Sequence, residues 1–175
     1  EARWLRRRFE PTQADNFRVN VISPDRWLTL TAARRATTAR NASAESWRML
    51  GRAYEGVIES KYIIATHSLR FVQLMLDAYR QAVKRDPGSV PARLDTAEAL
   101  MFCCATMFIS KVTDDEIAAA TEAAAHLDAV LTADEGNKDA ANGLERLNAI
   151  VSDWPGLPGA AQSSGLSGLT TRLQE

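Results

Sequence analysis

SWRMLGRAY, residues 46–54, spaces Trp47, Leu50, Gly51 and Tyr54 by steps of three, one and three. On an α-helix those steps gather the four residues into one stripe. Glycine within the stripe lets a neighbouring helix come close where a side chain would hold it away. The stretch therefore predicts two helices packed tightly together, and an all-α fold built from such pairs.

The flanking sequence supplies the other helices. SPDRW, residues 23–27, reads as a start, with Ser23 as cap, Pro24 in the first turn and Asp25 at the positive end of the helix dipole. That helix is expected to reach about Arg40, with Trp27, Leu28, Leu30 and Thr31 on its richer face. NASAES breaks it, and a second helix starts near Ala44; the triplet Asn41-Ala42-Ser43 fits a glycosylation acceptor but reads as helix capping. From Tyr62 to Arg85, Phe71, Leu74, Met75, Ala78, Tyr79 and Ala82 recur three or four apart. DPGSVP, residues 86–91, stops this helix through Pro87 and Gly88 and starts the next, over 91–110. TDDE, residues 113–116, is a capping box that opens an Ala-rich helix to about Ala133. DEGN repeats the breaker, and a last helix covers Lys138 to Ser152. Residues 59–70 and 103–113 read equally well as loops or as helix extensions.

These positions resemble the tetratricopeptide repeat (TPR), whose first helix carries W-x2-L-G-x2-Y and whose second carries small and aromatic positions ending in Pro. Trp47, Leu50, Gly51 and Tyr54 fit the first set, and Tyr79, Ala82 and Pro87 in DAYRQAVKRDP fit the second, Met75 standing where a small residue is usual. Trp47 and Pro87 are 40 positions apart, where the family spaces them by about 28; an insertion in ESKYIIATHSLR accounts for the excess. A second copy has Arg93, Ala97 and Leu100 in the Trp, Gly and Tyr slots, and LDAVLTADEGN echoes YRQAVKRDPGS. KDAANGLERLNAI is a third first helix or a cap, with Leu144 in the Leu slot. The resemblance implies a TPR-like α-solenoid of antiparallel helix pairs over residues 23–153, between an extended arm (1–22) and an irregular Gly/Pro/Ser-rich tail (154–175). The layout is most similar to the repeat domain of the bacterial cytochrome c maturation and haem lyase family. That likeness implies a membrane-tethered, periplasm-facing domain that captures the carboxyl-terminal helix of an apocytochrome.

Composition bounds the functional classes. The chain has 175 residues, 46% hydrophobic and 25% charged, enough to bury a core without metal or disulfide. The net charge of −1 conceals an asymmetry, since residues 1–40 carry nine arginines against four acids. Arg3, Arg6, Arg7 and Arg8, interleaved with Trp4 and Phe9, form a basic arm suited to an acidic surface: anionic lipid, RNA or another subunit. The same run also suits the chain's own acidic helices, and the acidic body disfavours nucleic acid. Opening on EARWLRRRFEP without Met, the chain reads as a processed piece, with room for a targeting signal or anchor ahead of it. No apolar run reaches the roughly 20 residues that a membrane-spanning helix needs.

No catalytic constellation is legible. Cys103 and Cys104 lie in the apolar run ALMFCCATMFI and read as two buried thiols, which favours a reducing compartment. His67 and His126 lie on separate helices without a nucleophile or carboxylate partner. Asp114, Asp115 and Glu116 answer the helix dipole rather than a metal. Trp27 and Trp154 are expected to close the ends of the bundle. The chain is accordingly read as a noncatalytic scaffold or assembly factor without cofactor or metal. Its partner-facing residues, chosen by helical phase on the first helices, are Arg48, Arg52, Glu55, Arg93, Asp95 and Glu98. The alternative is an accessory structural subunit of a large organellar or membrane assembly, whose neighbours order the arm and tail.

Overall fold

The computed structural model describes residues 24–58, 65–106 and 112–154, with the backbone alone for 65–69 and 106. The arm with Arg3, Arg6, Arg7 and Arg8, the Ser23 cap, the His67 side chain, and the segments 59–64, 107–111 and 155–175 lie outside the described residues. Everything regular among the described residues is helical: α1 (Pro24–Thr37), α2 (Ala44–Ile58), α3 (Ala65–Arg85), α4 (Val90–Thr106), α5 (Asp114–Ala133) and α6 (Lys138–Ser152).

Each helix packs on the next in the chain, and α4 also touches α2 on one side and α6 on the other. The most extensive of these contacts join α2 to α3 and α4 to α5. Two apolar clusters result. One unites Leu30 of α1 with Leu50, Tyr54 and Val57 of α2 and Met75, Ala78 and Tyr79 of α3. The other unites Ala97, Leu100 and Met101 of α4 with Leu127 and Val130 of α5 and Leu147 and Val151 of α6. Ala99 of α4 belongs to the first cluster and Leu76 of α3 packs against both, so the two cores are continuous. Burying each of the larger side chains is worth about 1.5–3 kcal/mol.

Gly51 is buried, and a β-carbon built on it would overlap the Tyr79 ring. The stripe in SWRMLGRAY is thus the seam between α2 and α3. A second notch lies at Gly143 of α6, filled by Leu127 of α5, whose Cδ2 would stand 2.7 Å from an added β-carbon. Leu144 beside it is half-buried, while Leu147 is buried.

Some boundaries and faces differ from the sequence reading. α1 ends at Thr37 rather than Arg40, with the Thr37 and Thr38 hydroxyls bonding back to the Arg34 and Arg35 carbonyls. Leu28 is 64% exposed and Trp27 half-buried, so Leu30 alone anchors the helix deeply. Residues 65–70 and 103–106 are helical, which settles those parts of the two ambiguous segments as helix extensions. Trp154 is buried in the second cluster, against the end of α6.

The capping box is fully formed. Thr113 Oγ1 accepts from the Glu116 backbone N–H at 3.4 Å, and the Glu116 carboxylate accepts from the Thr113 N–H at 2.7 Å. The turns from α3 to α4 and from α5 to α6 are built alike. In each, the N–H of the aspartate (Asp86, Asp134) reaches the carbonyl four residues back, and its carboxylate takes the glycine N–H two residues on. The residue after each glycine then caps the following helix, Ser89 for α4 and Asn137 for α6.

Candidate functional site

Helices α2, α4 and α6 each begin at a capping side chain, Ser43, Ser89 and Asn137, and carry polar residues that meet one another. Between α2 and α4, the Arg48 Nε donates to Asp95 Oδ2 at 2.7 Å, and Arg52 holds the same carboxylate at 3.2 and 3.3 Å. Arg48 also binds Glu45 at 2.6 Å. Burial works against the Arg48 charge, but its hydrogen bonds to Glu45 and Asp95 and the charge of both carboxylates outweigh that, and its pKa is raised. Between α4 and α6, Arg146 grips Glu98 through two bonds of 2.9 and 2.8 Å. This pair stays on the surface, the side chains 59% and 49% exposed.

Helices α3 and α5 are joined in the same way. Arg80 of α3 holds Glu122 of α5 at 2.9 and 2.6 Å. That bidentate bond lowers the Glu122 pKa and raises that of Arg80. His126 lies one turn from Glu122, its Nε2 3.8 Å from the carboxylate, while its Nδ1 stands 3.4 Å from Arg93 Nη1. Burial keeps the imidazole pKa low despite Glu122.

All six residues expected from helical phase are therefore engaged within the chain. Arg48, Arg52 and Asp95 form one cluster and Glu98 pairs with Arg146. Glu55 accepts the Tyr79 hydroxyl at 3.1 Å, and Arg93 caps the Pro87 carbonyl at 2.8 Å while meeting His126. Arg80, Glu122, Arg146 and the coupling of His126 were not foreseen. The one signal was in the spacing, because these opposite charges stand 42 to 48 positions apart, close to the 48 positions between Asp86 and Asp134.

A separate feature lies where α3 and α5 diverge over the carboxyl-terminal part of α4, a cleft of about 310 Å³. Leu76, Leu100, Cys103, Cys104 and Ala119 give it an apolar wall, and Arg80, Asp115, Glu116 and Glu122 stand around it. Both cysteines are free thiols. Cys104 is buried and Cys103 half-buried, so only the former matches the reading of two buried thiols. Burial pushes them up, Cys103 to about 11 and Cys104 to about 12.

Among the described residues no group of three or more His, Cys, Asp or Glu side chains is placed to hold a metal ion. No described helix is long and apolar enough to cross a membrane. In comparisons with known proteins, the chain matches no family model, no curated protein and no solved structure.

Proposed function

We propose that the chain is a noncatalytic interaction module, a TPR-like stack of antiparallel helix pairs whose first helices offer a surface to a peptide or helix of a protein partner. The observation that carries this reading is the ion pairing of first helix to first helix, Arg48 and Arg52 to Asp95, then Glu98 to Arg146. Such pairs contribute little to stability when exposed, but they hold side chains in place before a partner arrives. A surface ordered in advance loses less entropy on binding. Arg52, Glu98 and Arg146 remain about half exposed, with hydrogen-bonding capacity left for a partner.

The repeated Asp-x-Gly turn, 48 positions apart, supports the same reading, since stacking in register is what repeats of one length produce. Within it, capture of an apocytochrome's carboxyl-terminal helix is the narrower proposal, and rests on the sequence resemblance.

The test is co-purification of the full chain from its native source, with the attached polypeptides identified, beside the exchange Glu98→Arg with Arg146→Glu. The exchange keeps the pair and inverts the charges a partner meets. One polypeptide held by the native chain and lost by the exchanged one, with unchanged melting, is the expected result. Equal retention by both, or no retained polypeptide, overturns the proposal. Dependence on several neighbours for solubility would favour the accessory-subunit alternative.

A further inference from the structure

We infer that the cleft between α3, α4 and α5 is a second docking point, which takes one large apolar side chain carried on a basic segment of a protein partner. The inference rests on the interaction reading and adds to it a site between α3 and α5 over the carboxyl-terminal part of α4, apart from the ion pairs that join α2, α4 and α6.

The cleft exists because α3 and α5 each lie against α4 far more closely than against one another. What joins them across the gap is Arg80 with Glu122. The floor is apolar: Leu100 and Cys104 are buried, and Leu76 and Ala119 are half-buried. Its volume of about 310 Å³ lies at the lower end of ligand clefts, room for a leucine-to-tryptophan side chain and little more. Ala118 and Asp115, both exposed, mark where it opens to solvent.

The rim decides what kind of molecule carries that side chain. Three carboxylates, Asp115, Glu116 and Glu122, surround the cleft against one guanidinium, Arg80, which is already bound by Glu122. The Glu116 carboxylate is held by the Thr113 backbone and hydroxyl in the capping box. Asp115 makes no ion pair among the described residues. An uncharged apolar molecule would fill the floor and leave the exposed Asp115 carboxylate at its edge unanswered. A segment with Lys or Arg on either side of its apolar anchor answers both, and the match adds to specificity and association rate.

Cys103, half-buried in the cleft wall, is a built-in reporter. Because burial pushes its thiol up to about 11, alkylation is read at pH 9, by mass spectrometry that separates Cys103 from Cys104. The probe is a synthetic helical peptide with one Trp flanked by Arg at i±3 and i±4, added to the full chain. Its controls carry Glu in place of Arg, or Ala in place of Trp.

The Arg peptide is expected to slow Cys103 alkylation about fivefold or more at saturation, while neither control does. Asp115→Lys, which reverses a rim charge, should raise the half-protecting concentration about threefold or more. Ala118→Trp, on the exposed lip, should abolish protection without changing the melting curve. Equal protection by the Glu peptide or by decanoate alone overturns the inference, as does protection that grows with chain concentration without peptide. So does a Cys103 already unreactive in the free chain. If the partner is lost on exchange of Glu98 and Arg146 but leaves Cys103 reactive when bound, this inference falls and the interaction reading stands. If the peptide protects Cys103 and no partner is ever retained, the reverse holds.

Discussion

The Tyr79 ring occupies the space into which a β-carbon on Gly51 would project. Tyr79 is 1% exposed and its hydroxyl is tied to Glu55, so the ring cannot swing aside. Gly51→Ala should therefore destabilise the chain by about 1–3 kcal/mol, the usual range for overpacking, although the same change in an open helix gains up to about 1 kcal/mol. Gly56, with nothing within 4 Å of its virtual β-carbon, is the internal control. Urea unfolding of Gly56→Ala should show a gain of about 0.5–1 kcal/mol. A stable Gly51→Ala would mean that the α2–α3 seam is looser than described.

How far the fold could be read in advance follows from which residues act locally. Gly51, the Thr113–Glu116 box and the breaks at DPGS and DEGN act within a few residues of themselves or along one helix stripe, and each was visible in the sequence, though not the aspartate carboxylates that close the two turns. Leu28 was assigned to the inner face because phase alone cannot say how far α1 is rolled against α2; Leu30 at its centre decides that. The ion pairs were missed because a charged residue looks the same whether solvated or paired. Nothing local to either residue shows that Arg80 meets Glu122, or Glu98 meets Arg146, from one helix to another.

Two of those pairs should differ in worth. Arg48 and Asp95 are 16% and 18% exposed, so losing one leaves the other in a poorly hydrated place with only Glu45 or Arg52 to answer it. Asp95→Asn should cost about 1–2 kcal/mol, and a double-mutant cycle with Arg48→Met should show coupling. Glu98→Gln, in the exposed pair with Arg146, should cost no more than about 0.5 kcal/mol. Equal costs in the urea cycles would contradict the burial difference on which the ranking rests.

His126 sets an acid-side dependence. Burial lowers its folded pKa below the usual 6.5, so the unfolded chain binds the proton more readily. The stability it contributes is present above about pH 6.5 and is lost as pH falls through the depressed folded value. Glu122 is also lowered, by Arg80 first, and its contribution disappears only below the ordinary carboxylate range, near 4.5. Stability measured from pH 7.5 to 5 should thus decline with a slope that His126→Gln removes and Glu122→Gln largely leaves. A slope unchanged in His126→Gln would assign the effect elsewhere.

The cysteines should differ in reach more than in acidity. With Cys103 near 11 and Cys104 near 12, both react with iodoacetamide at pH 8 roughly a hundredfold or more slowly than an unperturbed thiol. Cys103 should modify first and Cys104 only on unfolding, which peptide mapping separates. Reaction of both at the free-thiol rate would show that the α4–α5 contact opens readily.

The helix α3 stops at Arg85, where the breaker DPGS predicts, but not through glycine's left-handed freedom. The sequence reading has Pro87 and Gly88 halting α3, yet neither Gly88 nor Gly136 adopts the left-handed backbone that only glycine accepts easily. Their virtual β-carbons meet only the Asp86 and Asp134 carboxylates, at the ordinary contact distances of 3.6 and 3.5 Å. What closes each turn is the aspartate, whose carboxylate takes the glycine N–H at 3.1 Å in one copy and 3.2 Å in the other. Gly88→Ala and Gly136→Ala should therefore be neutral, or stabilising by up to about 1 kcal/mol through a stiffer unfolded chain. Asp86→Ala and Asp134→Ala should each cost about 1 kcal/mol. The second should cost slightly more, because Asp134 also accepts from the Asn137 side chain at 3.3 Å. Thermal melts of the four variants rank them, and alanine at either glycine proving worse than alanine at its aspartate would return the turn to glycine's control.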